Sequence, residues 1–236
     1  MEAFAGIFSF LSGVPAIAGL ILTGVTIFLT SDWRLSLTAL LVQYVLLGMA
    51  LTRFVQAELA LVRVLVGVLV VPILYLTARR IQEVRAPALG GRQAEQVLRL
   101  PVGWSAGPLG LPLRLLTVLL VGLALIRFFP NYRTVLPTLV GEGVAVPPDI
   151  IFVAFWLATM GMVGLIVSSD ALRVGPALLT ILAGFDLVYA GLHQNLAVTG
   201  FFSALTLLAA LAFSYLAAVQ SLGPDLEEGD EEEAEA

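Results

Sequence analysis

Three polar residues share one face of an apolar stretch near the carboxyl end of the chain. Asp186, Tyr189 and His193 are spaced i, i+3 and i+7, which places them on one side of a helix. A carboxylate at membrane depth costs at least about 2.5–3.5 kcal/mol unless it is paired or neutralised. These three residues form a polar stripe along the helix. The stripe predicts a proton or cation relay, in which a carboxyl and an imidazole exchange protons. The alternative is a protonated Asp186 that only hydrogen-bonds a neighbouring helix.

Arg63 is a second charged residue inside an apolar run. It lies about five residues into its predicted span, which is about 7 Å of helix. Three placements are open for its guanidinium: snorkelling to the nearer interface, pairing with Glu58, or pairing with Asp186. Gln43 and Tyr44 add polar groups to another span, where such groups can simply bridge helices.

The composition indicates which elements must position these residues. The chain has 236 residues, of which 59% are hydrophobic and 12% are charged, and its mean hydropathy is +1.00. A soluble domain carries about 25% charged residues. These values exclude a soluble globular protein and a disordered chain, and they predict a polytopic membrane protein.

Several chemistries are excluded by residues that the sequence lacks. Without Cys, the chain forms no disulfide, Cys-ligated zinc site or iron–sulfur site, and a single His excludes bis-histidine haem and multi-histidine zinc sites. No Walker-type phosphate loop or basic patch interleaved with aromatics occurs. We therefore predict no cofactor, no metal site, no catalytic residues and no nucleic-acid partner, so any enzymatic role is at most that of a non-catalytic subunit.

The predicted fold is an all-α membrane bundle of about seven transmembrane helices. A span needs about 20 mostly apolar residues, and uninterrupted runs of that length must be helical because lipid cannot satisfy a loop backbone. The candidate spans are 10–30, 35–52, 59–78, 111–129, 150–168, 173–192 and 200–220.

The distribution of arginine predicts the orientation of the bundle. All twelve basic residues are Arg, and five of them lie in the segment 79–110, which the positive-inside rule places in the cytoplasm. Seven spans then put the N-terminus outside and the C-terminus inside. Eight of the 17 acids lie in the last twelve residues, which predicts a disordered acidic tail, with a docking site for a basic partner as the alternative.

A weak internal repeat suggests a duplication. The stretch 31–41 begins Ser-Asp and ends Ala-Leu-Leu, and 169–179 does the same at an offset of 138 residues. Chance is the alternative, because Ala-Leu-Leu is common in membrane proteins. A parallel duplication of a three-helix unit would divide the chain as follows: a first unit at 1–80, a cytoplasmic linker at 81–110, an extra transmembrane helix at 111–129, an external loop at 130–149, a second unit at 150–222 and the acidic tail at 223–236.

Two stretches resemble known membrane subunits. The segment 161–190, with Ser168-Ser169-Asp170 between its two helices and Asp186 in the second, resembles the K subunit of respiratory complex I and the C subunit of multisubunit cation/proton antiporters. That resemblance implies that Asp186 stands where the family has an acid, usually Glu, in a proton path. The first unit, with Val71-Pro72-Ile73-Leu74-Tyr75, resembles component E of hydrogenase-4-type membrane hydrogenases, a longer relative.

The resemblance implies an integral membrane subunit of a complex I-like or membrane-hydrogenase-like assembly. Its expected role is proton or cation translocation through Asp186, assisted by His193, Tyr189, Arg63 and Glu58. The expected partners are the lipid bilayer and other integral membrane subunits, large antiporter-like ones among them, in the cell inner membrane. Two alternatives remain: a structural or anchoring membrane protein without transport, and a small stand-alone transporter.

Overall fold

Seven helices joined by turns make up the described part of the chain. A computed structural model describes residues 13–30, 32–88, 110–140, 146–168, 171–192 and 196–235, and no strand occurs in these ranges. The helices are α1 Val14–Leu29, α2 Trp33–Leu51, α3 Ala57–Ala88, α4 Gly110–Val140, α5 Pro148–Val167, α6 Ala171–Leu192 and α7 Leu196–Glu235.

The lengths of these helices confirm the predicted all-helical membrane bundle. Within the described residues, α2 to α7 each contain an apolar segment of 18 to 27 residues, long enough to cross a membrane. The described part of α1 has 16 residues, fewer than the roughly 20 that a full crossing needs.

Local sequence explains where two of the helices begin. The Asp32 carboxylate accepts a hydrogen bond from the backbone N–H of Arg34 at 3.0 Å and so caps α2. Pro148 opens α5, a position where the missing N–H costs nothing because it would have no helical partner.

Three helices extend further than the sequence predicts. α3 continues to Ala88, into the predicted linker 81–110. α4 continues to Val140, into the predicted external loop 130–149. α7 continues to Glu235, through the tail that the sequence predicts to be disordered. Elongating an existing helix avoids the cost of nucleation, and the extension of α3 contains Gln, Glu, Arg and Ala, which are good helix formers. The i,i+4 pair of Arg79 with Glu83, at 2.9 Å, supports the extension of α3.

The helices form two rows of three with α4 outside them. The first unit is α1, α2 and α3, packed in that order, and the second unit is α5, α6 and α7. Across the seam between the units, α1 packs against α5, α2 against α6 and α3 against α7. α4 contacts α5 and α1, and none of its described residues from 110 to 130 is buried. The arrangement is compatible with a duplicated three-helix unit, which stays a prediction.

The two ends of the bundle are distinguished by their connections. At the Arg53 end, α2 and α6 finish while α3, α5 and α7 begin, and Arg53 there pairs with Asp149 at 2.6 Å. At the Arg173 end, α1 and α5 finish while α2, α4 and α6 begin, and the Arg114 guanidinium donates to the carbonyl oxygen of Leu29 at 3.4 Å. The sequence predicts that the Arg53 end is external.

Glycines bring α5 and α6 into close contact. A Cβ added at Gly161 would lie 2.6 Å from the carbonyl oxygen of Ala177, and one at Gly184 would lie 2.6 Å from that of Ala154. Only a residue without a side chain permits this approach. The crossing fixes the rotation of α6, with Gly184 facing α5.

Candidate functional site

Asp186 faces the seam because of how α6 packs. A helix turns about 100° per residue, so Asp186 lies roughly opposite to Gly184, the residue that contacts α5. The Asp186 side chain therefore points away from α5, and Asp186 is 6% exposed. Asp186 is therefore a buried carboxylate between packed helices.

Arg63 meets Asp186 across the seam. The Nη2 atom of Arg63 forms an ion pair with Oδ1 of Asp186, and the Nη1 atom donates a hydrogen bond to Oγ of Ser203 at 3.3 Å. Arg63 is 4% exposed. Of the three placements left open by the sequence, the structure has the pairing with Asp186, and neither snorkelling nor a pairing with Glu58 occurs.

The pair lies well inside the bundle. Arg63 is six residues after the first residue of α3, and Asp186 is six residues before the last residue of α6. Because both of those helix ends are at the Arg53 end, the two side chains lie at the same level, about 9 Å from that end. Arg63 and Asp186 are the two charged residues that are buried among those the structure describes.

Tyr44 and Gln43 border the pair on α2. Tyr44 is 4% exposed and close enough to interact electrostatically with both Asp186 and Arg63. Gln43 is fully buried. Neither the Tyr44 hydroxyl nor either amide atom of Gln43 has a hydrogen-bond partner among the described residues. Buried polar groups of this kind are the usual positions of ordered internal water.

Gly67 allows Tyr44 to approach α3. A Cβ at Gly67 would overlap the Tyr44 side chain, and Gly67 lies one helical turn beyond Arg63. Any larger residue there would separate α2 from α3 and move Tyr44 away from the pair. The tyrosine is thus placed by a glycine on a different helix.

Two apolar clusters enclose the polar group. One is built around α1, α2, α5 and α6 and includes Leu20, Leu47 and Leu157; the other joins α2, α3, α6 and α7 and includes Leu40 and Val70. An ion pair between such clusters is shielded from water. In that setting the loss of one partner is strongly destabilising, by about 3–5 kcal/mol, because an uncompensated charge stays buried.

The structure gives Tyr189 an aromatic environment and Glu58 an exposed position, and it does not describe His193. Tyr189 packs its ring against Phe202, with centroids 4.8 Å apart, and against Phe185 at 6.3 Å. Glu58 is exposed in the first turn of α3. His193 lies outside the described residues, so its predicted part in a polar stripe stays a prediction.

Sequence reasoning missed part of this site. Ser203 was not singled out, and Gln43 and Tyr44 were interpreted only as groups that bridge helices. No local signal marks Ser203, since an isolated serine is common in a membrane helix. The adjacent Gln43 and Tyr44 in an apolar run were a usable signal.

The arrangement offers proton or cation chemistry without a metal cluster. Among the described residues, no group of three or more His, Cys, Asp or Glu could hold a metal ion. What the site contains is one carboxylate, one guanidinium and two hydroxyls that could exchange hydrogen-bond partners.

Comparison with known proteins assigns no family to the chain. No family model, no curated protein and no solved structure matches it. The resemblance to complex I and hydrogenase subunits therefore contributes only to a proposal.

Proposed function

We propose that this chain is an integral membrane subunit that contributes to proton or cation translocation through the pair of Arg63 and Asp186. The observation that carries the proposal is the pair itself: two opposite charges, both buried, on helices of different three-helix units. Ionisable residues inside membrane helices are costly, and they typically belong to ion paths or proton relays.

The pair supplies two states that differ by one proton. An ionised Asp186 neutralises Arg63, whereas a protonated Asp186 no longer attracts the guanidinium. Arg63 would then keep its hydrogen bond to Ser203, with the Tyr44 hydroxyl nearby. Proton uptake from one side and release to the other would complete a transport step, and a cation that displaces Arg63 from the carboxylate would act in the same way.

The resemblance supports the proposed assembly and membrane, and the charge distribution supports the proposed orientation. Six described arginines lie toward the Arg173 end, namely Arg34, Arg79, Arg80, Arg85, Arg114 and Arg173, whereas Arg53, Arg127 and Arg133 lie toward the other end. This bias supports a cytoplasmic Arg173 end and an external N-terminus. The proposed setting is a complex I-like or membrane-hydrogenase-like complex of the cell inner membrane, with large antiporter-like subunits as neighbours.

A structural role is the second candidate. Two cavities in the described part of the chain, one near Arg114 and one near Ser214, do not include Arg63 or Asp186 in their linings. A pair that water does not reach would act as a clamp holding α3 against α6 across the seam. This candidate predicts an effect on assembly rather than on transport.

The test is the replacement of Asp186 by Asn in the intact assembly. The variant keeps the shape of the side chain but cannot carry a proton. The matched control is Asp149→Asn, which makes the same chemical change in the exposed ion pair with Arg53. Both variants would be purified in mild detergent with their partner chains, reconstituted in vesicles and assayed for ion pumping.

The outcomes separate the candidates. Loss of pumping by Asp186→Asn with an intact complex, and normal pumping by Asp149→Asn, supports the relay. Loss of the complex itself supports the clamp, and unchanged pumping overturns the relay. Co-purification of large antiporter-like chains supports the proposed assembly, whereas transport by the isolated chain would favour a stand-alone transporter.

A further inference from the structure

A cleft opens at the Arg173 end of the seam, at the opposite end of the bundle from the Arg63–Asp186 pair. Residues of α1, α2, α5 and α6 form its walls, and α4 contributes Arg114. Its cavity volume is about 30 Å³. Pockets for whole small molecules hold about 300–1,000 Å³, so only a few atoms of any ligand fit inside and the rest must lie outside.

Positive charge is concentrated in the lining of this cleft. Arg114 from α4 and Arg173 from α6 both line it, and their guanidinium groups are close enough to repel one another. Asp32 is the one acid among the described lining residues, and its carboxylate caps α2 by accepting the Arg34 N–H at 3.0 Å. Two adjacent guanidinium groups are a preferred arrangement for binding phosphate.

Two helices also begin at this cleft. α2 starts at Trp33 and α6 at Ala171, so the positive ends of both helix dipoles lie at the Arg173 end. Ser36, in the first turn of α2, adds a hydroxyl to the lining. Because α1 and α5 end at the same cleft, with Thr30 and Ser168 in its lining, the helix dipoles largely cancel. The preference for an anion therefore comes from the two guanidinium groups.

We infer that the cleft binds a phosphate group through Arg114 and Arg173. A phosphodiester of an anionic lipid headgroup suits the geometry, because a lipid leaves only its headgroup in the cleft and the rest in the bilayer. The bound phosphate tethers α4 to α6 of the second unit. Without it, α4 contacts the bundle through α5 and α1 and has no buried residue from 110 to 130. Free phosphate shares this chemistry and is the other source of the group.

The inference is tested on the full chain purified in detergent. Native mass spectrometry would count bound phosphatidylglycerol, with phosphatidylcholine as the uncharged competitor and inorganic phosphate as the free anion. The test variant is Arg114→Gln with Arg173→Gln. The matched control is Arg79→Gln with Arg80→Gln, which removes two exposed charges from the same end without changing the cleft.

The wild type is expected to retain phosphatidylglycerol in preference to phosphatidylcholine. The cleft variant should bind it at least about tenfold more weakly, as expected for the loss of charged hydrogen bonds, while the control variant should bind like the wild type. Competition by inorganic phosphate would identify free phosphate as the ligand. Equal loss in the cleft and control variants overturns the inference.

A conservative variant keeps the test decisive if the double glutamine variant does not fold. Arg114→Lys with Arg173→Lys retains both charges, so it should still prefer phosphatidylglycerol to phosphatidylcholine, although lysine lacks the forked donors of arginine. Equal retention of phosphatidylglycerol and phosphatidylcholine by the wild type would overturn the inference without any variant. Neither result depends on ion transport through Asp186.

Discussion

The two three-helix units share an order of helices but differ at equivalent positions. At the repeat offset of 138 residues, Asp186 of the second unit corresponds to Gly48 of the first, and Arg63 of the first corresponds to Phe201 of the second. Asp186 and Arg63 are buried at the seam, whereas Phe201 is 66% exposed. Each unit therefore contributes one charge that the other lacks, and the site exists only where the units meet.

Close packing explains why position 48, which is Gly, has no room for an acidic side chain. A Cβ at Gly48 would overlap the Val64 side chain and lie 3.3 Å from the carbonyl oxygen of Ala60. That position is used for the contact of α2 with α3. In the second unit the close approach is between α5 and α6, which leaves the opposite face of α6 free to present Asp186 to the first unit.

Removal of one charge of the buried pair should have the largest effect on the stability of the protein. Arg63→Leu leaves Asp186 buried without its cation, and we expect a loss of about 3–5 kcal/mol in the free energy of unfolding. The double variant Arg63→Leu with Asp186→Leu should recover most of that loss, since no buried charge remains. Unfolding of the purified protein measures both, and equal stability of the single variant and the wild type would contradict the buried pair.

Enlarging a glycine at the α5–α6 crossing should have the next largest effect. Gly184→Ala places a Cβ 2.6 Å from the carbonyl oxygen of Ala154, and overpacking of this kind costs about 1–3 kcal/mol. The control is Gly200→Ala, where nothing lies within 4 Å of the added Cβ. If both variants unfold alike, the close crossing does not determine the rotation of α6.

Removal of the Tyr44 hydroxyl should change stability only slightly. This hydroxyl has no hydrogen-bond partner among the described residues, so Tyr44→Phe should alter the free energy of unfolding by no more than about 1 kcal/mol. The same variant would be assayed for pumping. A loss above about 2 kcal/mol would show that the hydroxyl makes a strong hydrogen bond in the folded protein.

Disruption of the exposed ion pair should have the smallest effect. Arg53→Gln removes the partner of Asp149, and the two side chains are 29% and 36% exposed. Exposed pairs contribute about 0–1 kcal/mol, so unfolding should be nearly unchanged. A loss as large as that of Arg63→Leu would mean that burial does not distinguish the two pairs.

The sequence predicted the class of fold because hydropathy and length alone decide which segments can enter a bilayer. It also singled out Asp186, since a carboxylate in an apolar run is costly whichever way its helix is rotated. Three helices continue beyond the predicted spans, to Ala88, Val140 and Glu235. Polarity marks where a segment leaves the apolar region, whereas a helix that is already nucleated can continue past that point at little cost.

The partner of Asp186 could not be predicted in the same way. Arg63 lies 123 positions away in the chain, and its direction depends on the rotation of α3 about its own axis. Glycine contacts set such rotations, as at Gly67 beside Tyr44 and at Gly184 beside Ala154. These contacts are between helices, so no local pattern contains them.

The sequence by itself therefore determined that this is a helical membrane protein with a costly acid at depth, because burial of apolar and charged groups in lipid is a property of single segments. Only the tertiary structure decided that Arg63 neutralises that acid, that Gln43, Tyr44 and Ser203 lie beside the pair, and that two arginines meet at the opposite end of the seam. Those facts depend on how the helices rotate and pack against one another. The shapes of side chains across the whole bundle determine that packing.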